Sequence, residues 1–212
     1  MLTVHHLGVS QSDRIVWLCE ELGIPYQLKI YQRDPVTRLA PAEYKALHPS
    51  ETAPVVTDGD ITLAESGAIV EYILARYGEG RLALSPDDAA YPVYLYWLHY
   101  ANGSFMPAGM VDLVLGVLGL ADQEHVQPLR ARADRGYALA EKRLGEATWF
   151  AGDAFTAADI MMLFPLTTMR VFAPRDLAPY PNIRAYLARV GERPAYQRAA
   201  KKADPDLAPL LS

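Results

Sequence analysis

Every clear strand signal in this 212-residue chain falls within its first third, and that confinement narrows the fold more than any other feature. Leu2-Thr-Val-His-His-Leu7 reads as a short strand. From Asp13 to Leu22 the apolar residues Ile15, Leu18, Cys19 and Leu22 recur at helical spacing. Gly23 ends that helix and Pro25 prevents its return. Tyr26 to Tyr31 reads as a second strand, and Ala42 to Leu47 as a short helix. Pro54-Val-Val-Thr57, the Asp58-Gly59 turn and Ile61-Thr-Leu63 form a hairpin pattern. Glu65 to Tyr77 follows as a helix, stopped at Gly78. The order is β-α-β-α-β-β-α. A parallel βαβ unit followed by a ββα unit can share one mixed sheet with helices on its faces.

The expected fold is therefore an α/β, thioredoxin-like N-terminal domain over residues 1–78, followed by an all-α domain. A linker is expected over 79–86, where Gly78-Glu-Gly80 and Ser85-Pro86 punctuate the chain. Residues 87–212 show helical pattern only. One helix runs from Asp87 to about Leu120, and Asn102, Gly103 and Pro107 should bend or interrupt it. Others are expected over Val126 to Ala147, Ala157 to Phe172 and Asn182 to Arg193, with an irregular proline-rich tail after Ala203. Thr156-Ala-Ala-Asp159 fits a capping box and reads as a folding signal.

Composition removes several function classes. With 51% hydrophobic and 21% charged residues, the chain has ordinary globular material for a core. A net charge of -5 argues against a non-specific nucleic-acid binder, which needs a basic face. One cysteine cannot form an internal disulfide, so a reducing, cytoplasmic setting is expected. No leader pattern opens the chain and no long apolar run occurs, so no membrane association is expected. His5, His6, His48, His99 and His125 lack ligand spacing, so no metal is expected.

Three weak signals in the first domain converge. Ser10 and Ser12 lie in the turn between the first strand and the first helix. Ala53-Pro54 enters a strand. Glu65-Ser66 heads a helix, where backbone N–H groups and a hydroxyl can hold a carboxylate and the acid can pair with an α-ammonium. Ser12 is also a natural N-cap, and Cys19 falls on the buried stripe of its helix. Ser10, Ala53-Pro54 and Glu65-Ser66, with Arg14, His5-His6-Leu7, Trp17-Leu18, Glu20-Glu21-Leu22, Arg33-Asp34, Leu39-Ala-Pro41, His48-Pro49 and Gly152-Asp-Ala-Phe-Thr156-Ala-Ala-Asp159, resemble the cytosolic glutathione transferases. The resemblance spans nearly the whole chain and is strongest to a bacterial and fungal branch.

The resemblance implies a serine-type site. A free thiol has a pKa of about 8.5, so the nucleophile needs that value lowered. The resemblance gives this role to Ser10, whose hydroxyl would donate to sulfur near the positive end of a helix. Ser12 is the fallback. No tyrosine precedes Tyr26, which excludes the tyrosine-dependent branches. Glutathione would bind along Thr52, the Ala53-Pro54 cis step, Glu65 and Ser66, pairing with Ala53 like an added strand. Relatives in this branch tend to carry glycine and lysine after His48-Pro49, whereas this chain has Ser50, Glu51 and Thr52. The glycine carboxylate would then fall to Arg38, Lys45 or His48.

The resemblance further implies a homodimer that transfers glutathione, its co-substrate, to a small apolar electrophile. No tightly bound cofactor is implied. Tyr100, Phe105, Met106 and Met110 are the candidates for an apolar substrate wall, and the same stripe reads equally as ordinary core. The rival readings are a non-catalytic glutathione or ligand carrier of the same fold, and a glutathione-dependent peroxidase, isomerase or dehalogenase.

Overall fold

Four strands form one mixed sheet. They are β1 (Leu2–Leu7), β2 (Gln27–Tyr31), β3 (Val55–Asp58) and β4 (Ile61–Ala64), in the spatial order β2-β1-β3-β4. In this computed structural model, which describes residues 1–212, β1 pairs parallel with β2 and antiparallel with β3, and β3 pairs antiparallel with β4. The parallel pair is joined through α1 (Asp13–Leu22), as a βαβ crossover demands. The antiparallel pair turns at Gly59, whose φ of +60° is open to glycine at no steric cost. A short α2 (Ala42–Lys45) and a longer α3 (Ser66–Tyr77) complete the expected order. Burial of Ile15, Val16, Leu18, Ile69, Val70 and Ile73 seals these helices onto the sheet-bearing core.

The chain divides into two units, and the division is not a single cut. One unit comprises Met1–Ala83 with Gly191–Pro209, and the other Leu84–Val190 with Leu210–Ser212. The expected boundary at 79–86 did not include the return of the C-terminal segment. That return is made by α9 (Pro194–Ala203), a helix absent from the sequence reading. Pro194 opens it, where a missing N–H costs nothing. Ala195, Ala199 and Ala203 form its buried edge, and Tyr196 meets Trp17 edge-on at 5.2 Å. Arg193 grips Glu21 with two nitrogens, at 2.7 and 2.8 Å. Arg198 and Lys202 both donate to Glu20, at 2.9 and 2.5 Å. Burial alone would raise the Glu20 carboxyl; hydrogen bonds from Lys202, Tyr26 and Arg198 outweigh it and hold the group below its ordinary range.

The second unit is helical throughout. It contains α4 (Tyr91–Tyr100), α5 (Met106–Val117), α6 (Gln127–Glu146), α7 (Ala157–Leu166) and α8 (Pro181–Gly191). The bend expected near Pro107 is a π-turn over Ala101–Phe105, closed by Met106 N–H donating to Ala101 O. Proline has no N–H for the next α-type bond, so the ladder widens by one residue before it. The capping box at α7 is formed as expected: Asp159 accepts from Thr156 N–H at 2.9 Å. It also accepts from Phe150 N–H at 2.9 Å, tying the preceding turn to the helix. Burial pushes its carboxyl up to about 7, although the bonds from Phe150 and Thr156 oppose the rise. No helix is long and apolar enough to cross a membrane.

Candidate active site

The turn between β1 and α1 carries both serines, and the structure separates their roles. Ser10 is 6% exposed and Ser12 fully buried. Ser12 occupies the N-cap position of α1 but makes no capping bond. Its φ and ψ are already helical, and its oxygen is used elsewhere: it accepts Leu7 N–H at 3.1 Å and pairs with His6 Nδ1 at 2.8 Å. Ser10 Oγ lies 2.7 Å from Ser12 Oγ and donates to Leu7 O at 2.7 Å.

The backbone here is constrained. Val9, just before Ser10, holds φ +52°, unusual for a β-branched residue. Asp204, beyond α9, accepts Val9 N–H at 3.2 Å. Arg33 donates to Gly8 O at 2.8 Å and Val9 O at 3.2 Å. Two charged side chains thus clamp the turn from the ends of distant elements.

At α3, Ser66 is buried and Glu65 exposed. Glu65 has φ +76°, a non-glycine value that costs about 1–3 kcal/mol. Gln11 joins this point to the serine turn: its Oε1 accepts from Ser66 Oγ at 3.3 Å and from Arg14 at 2.5 Å. Arg14 is buried, which pulls its guanidinium down to about 10 while Asp13 and Glu65 act to keep it charged. Arg14 therefore belongs to the base of the site, beneath the Ser66 end of α3.

The Ala53–Pro54 peptide is cis, and Pro54 leads directly into β3. Thr52 is exposed, and its hydroxyl donates to Ser50 Oγ at 3.1 Å. Ser50 in turn sits against His48 Nδ1, at 2.9 Å through its hydroxyl and 3.1 Å through its N–H. With Nδ1 accepting that N–H, the His48 proton lies on Nε2. Of the other carboxylate candidates, Lys45 is half-buried, and Arg38 is exposed with φ +61°. Cys19 is sealed, and burial pushes its thiol up to about 12.

The four wall candidates do not share one surface. Phe105 and Met106 are 2% and 6% exposed and face the interior of the helical unit. Phe105 packs edge-on to Tyr137 at 5.1 Å. Met110 is 45% exposed, and Tyr100 lines an open groove of about 380 Å³ with Val111, Leu129 and Arg132.

The sequence profile described as "Glutathione S-transferase, N-terminal domain" matches residues 10–76, and "Glutathione S-transferase, C-terminal domain" matches 105–194. Glutathione S-transferase 3 of Schizosaccharomyces pombe is 33% identical across 100% of this chain and 92% of its own length. The chain belongs to the glutathione S-transferase family. A crystal structure of a glutathione S-transferase from Actinobacillus pleuropneumoniae, 38% identical, superposes with a TM-score of 0.88 over 100% of this chain and 99% of that one. A sphingomonad glutathione S-transferase complexed with glutathione, 24% identical, shares the fold at a TM-score of 0.75, covering 95% and 98% of the two chains. This member of the family is a glutathione transferase enzyme. Sequence reasoning about this transferase missed Gln11 and Asp204; it quoted Arg33 only within the resemblance, and His6 there and among the histidines without ligand spacing. Gln11 lies between two more conspicuous serines, and Asp204 lies beyond a helix that no pattern announced.

Proposed function

We propose that this transferase conjugates glutathione to apolar electrophiles, with Ser10 as the hydroxyl that keeps the thiol ionised. The observation that carries the reading is the position of Ser10 at the entrance of α1, on a turn clamped by Asp204 and Arg33. Its hydroxyl donates to a backbone carbonyl of its own turn, from which it can swing to a sulfur without rearranging the chain. The helix N-terminus adds a partial positive charge that favours the anion.

In this reading glutathione lies along Thr52, Ala53 and Pro54 in extended form, its cysteinyl backbone pairing with Ala53. Its γ-glutamyl carboxylate meets Ser66 and the N-terminus of α3, and its α-ammonium meets Glu65. The glycine carboxylate is taken by His48 Nε2–H, with Lys45 and Arg38 as the alternative cations. Within the helical unit, Tyr100 and Met110 are the apolar candidates open to a ligand, rather than the interior Phe105 and Met106. The enzyme acts as a homodimer, with no metal or bound organic cofactor.

A chloro-dinitrobenzene assay and retention on immobilised glutathione test the reading. Ser10→Ala should cut turnover more than tenfold while the protein still binds the column. Full turnover in Ser10→Ala would refute the role of the hydroxyl.

A further inference from the structure

Behind Ser10 lies a continuous polar chain that runs inward. Asp204 Oδ2 is 3.1 Å from His6 Nε2, and His6 Nδ1 is 2.8 Å from Ser12 Oγ. Ser12 Oγ is 2.7 Å from Ser10 Oγ, and Ser10 Oγ is 2.7 Å from Leu7 O. His6 and Ser12 are fully buried. The preceding residue, His5, faces the other side of β1 and is occupied by Tyr31 and Thr57. The charged groups facing His6 are Asp204, from beyond α9, and, through Asp204, Arg33 from beyond β2. From α1 it meets only the Ser12 hydroxyl.

The chain has four gaps, and each needs one proton. Both ends, a carboxylate and a carbonyl, can only accept. The two hydroxyls supply two protons. A neutral imidazole adds one, leaving one gap with two acceptors face to face. An imidazolium adds two and fills all four. Every bond then points away from the ring: His6 donates to Ser12, Ser12 to Ser10, and Ser10 to Leu7 O.

We propose that His6, held by Asp204, is a positioning residue that sets the direction of this hydroxyl relay and so makes Ser10 a donor to the glutathione sulfur. With Ser12 donating to Ser10, the Ser10 proton is free to turn from Leu7 O to a bound thiolate. With the ring neutral, the Ser12 proton is drawn to Nδ1 and the Ser10 proton to Ser12. Ser10 then offers sulfur only lone pairs, which suit a thiol and repel a thiolate. No bond of the substrate is made or broken by the relay, and its effect is on the ionisation of the sulfur. Asp204 acts twice, since the same carboxylate that pairs His6 also holds Val9 N–H and hence the Ser10 turn.

The inference rests on the reading of Ser10 above, and one experiment separates the two. The complex of the full chain with glutathione is titrated by thiolate ultraviolet absorbance in the wild type and in Ser10→Ala, Ser12→Ala, Ser12→Thr, His6→Gln and Asp204→Asn. Asp204→Asn keeps an oxygen for Val9 N–H, so it carries the test if His6→Gln does not fold. The relay requires that Ser12→Ala, His6→Gln and Asp204→Asn each raise the bound thiol pKa by about one unit, a tenfold loss of thiolate near neutrality. Ser12→Thr, which restores a hydroxyl, should return it. A purely structural role would lower melting temperature and leave the thiol pKa in place. Wild-type thiol pKa values in Ser12→Ala and Asp204→Asn, with Ser10→Ala shifted, would overturn the relay and leave Ser10 standing. An unshifted Ser10→Ala would overturn both.

Discussion

Gly136, in the middle of α6, sets two physical effects against each other. Replacing a helical glycine by alanine stabilises by about 1 kcal/mol through backbone entropy alone. A Cβ built at Gly136 would lie 2.6 Å from Phe105 Cε2 and closer still to Cδ2. Phe105 cannot retreat: it is 2% exposed, packs edge-on to Tyr137 and sits at the end of the π-turn. Overpacking of this kind costs about 1–3 kcal/mol, with the upper part of that range expected against a rigid ring. The net expectation for Gly136→Ala is a loss of about 1–2 kcal/mol. In a chain of this size that is a fall of about 2–8 °C in melting temperature. Gly109, within α5, is the matched control, because its Cβ would meet only the flexible end of Met169, at 3.7 Å. Gly109→Ala should raise the melting temperature by about 2–4 °C. Differential scanning calorimetry reads both. Adding Phe105→Leu to Gly136→Ala should recover part of the loss, since the clash is removed. A rise in Gly136→Ala matching that of Gly109→Ala would show that Phe105 is free to move. It would then belong with the surface candidates rather than the core.

Two further expectations follow from buried titratable groups. The Asp159 carboxyl is raised to about 7 in the folded protein, above its unfolded value, so its protonated form is favoured by folding. Its contribution to stability is full below the unfolded pKa and is lost as pH rises through about 7. Asp159→Asn should remove that slope from denaturant midpoints measured between pH 4 and 8, and an unchanged slope would contradict the burial argument. Cys19 is sealed, with its thiol pushed up to about 12, so a disulfide reagent should modify it only in denaturant. Rapid labelling of the native protein would show that α9 opens readily from α1.

The fold was legible because its determinants are local. The apolar spacing of α1, the Asp58-Gly59 turn and the Thr156–Asp159 capping box each act within a few residues, so their patterns survive in the bare sequence. Ser10, the Ala53–Pro54 step and Glu65-Ser66 stood out as candidates for a related reason. Each sits at an element boundary, where a hydroxyl, proline or acid stands out against its neighbours. Short-range pattern could not tell Phe105 and Met106 from Tyr100 and Met110, because the π-turn over Ala101–Phe105 rotates the helix face and only packing shows which side is inward.

The amino-acid order alone determined the strand-and-helix succession of the first domain, the helical character of the second and the residues of the serine turn. Tertiary structure decided what each serine oxygen bonds to and where the chain's end returns. His6 and Asp204 are 198 residues apart, and Gln11 and Ser66 are 55 apart. No periodicity links such pairs. Their contact exists because α9 packs back on α1 and because the sheet brings the starts of α1 and α3 together, and those are consequences of burial over the whole unit rather than of any local run of residues.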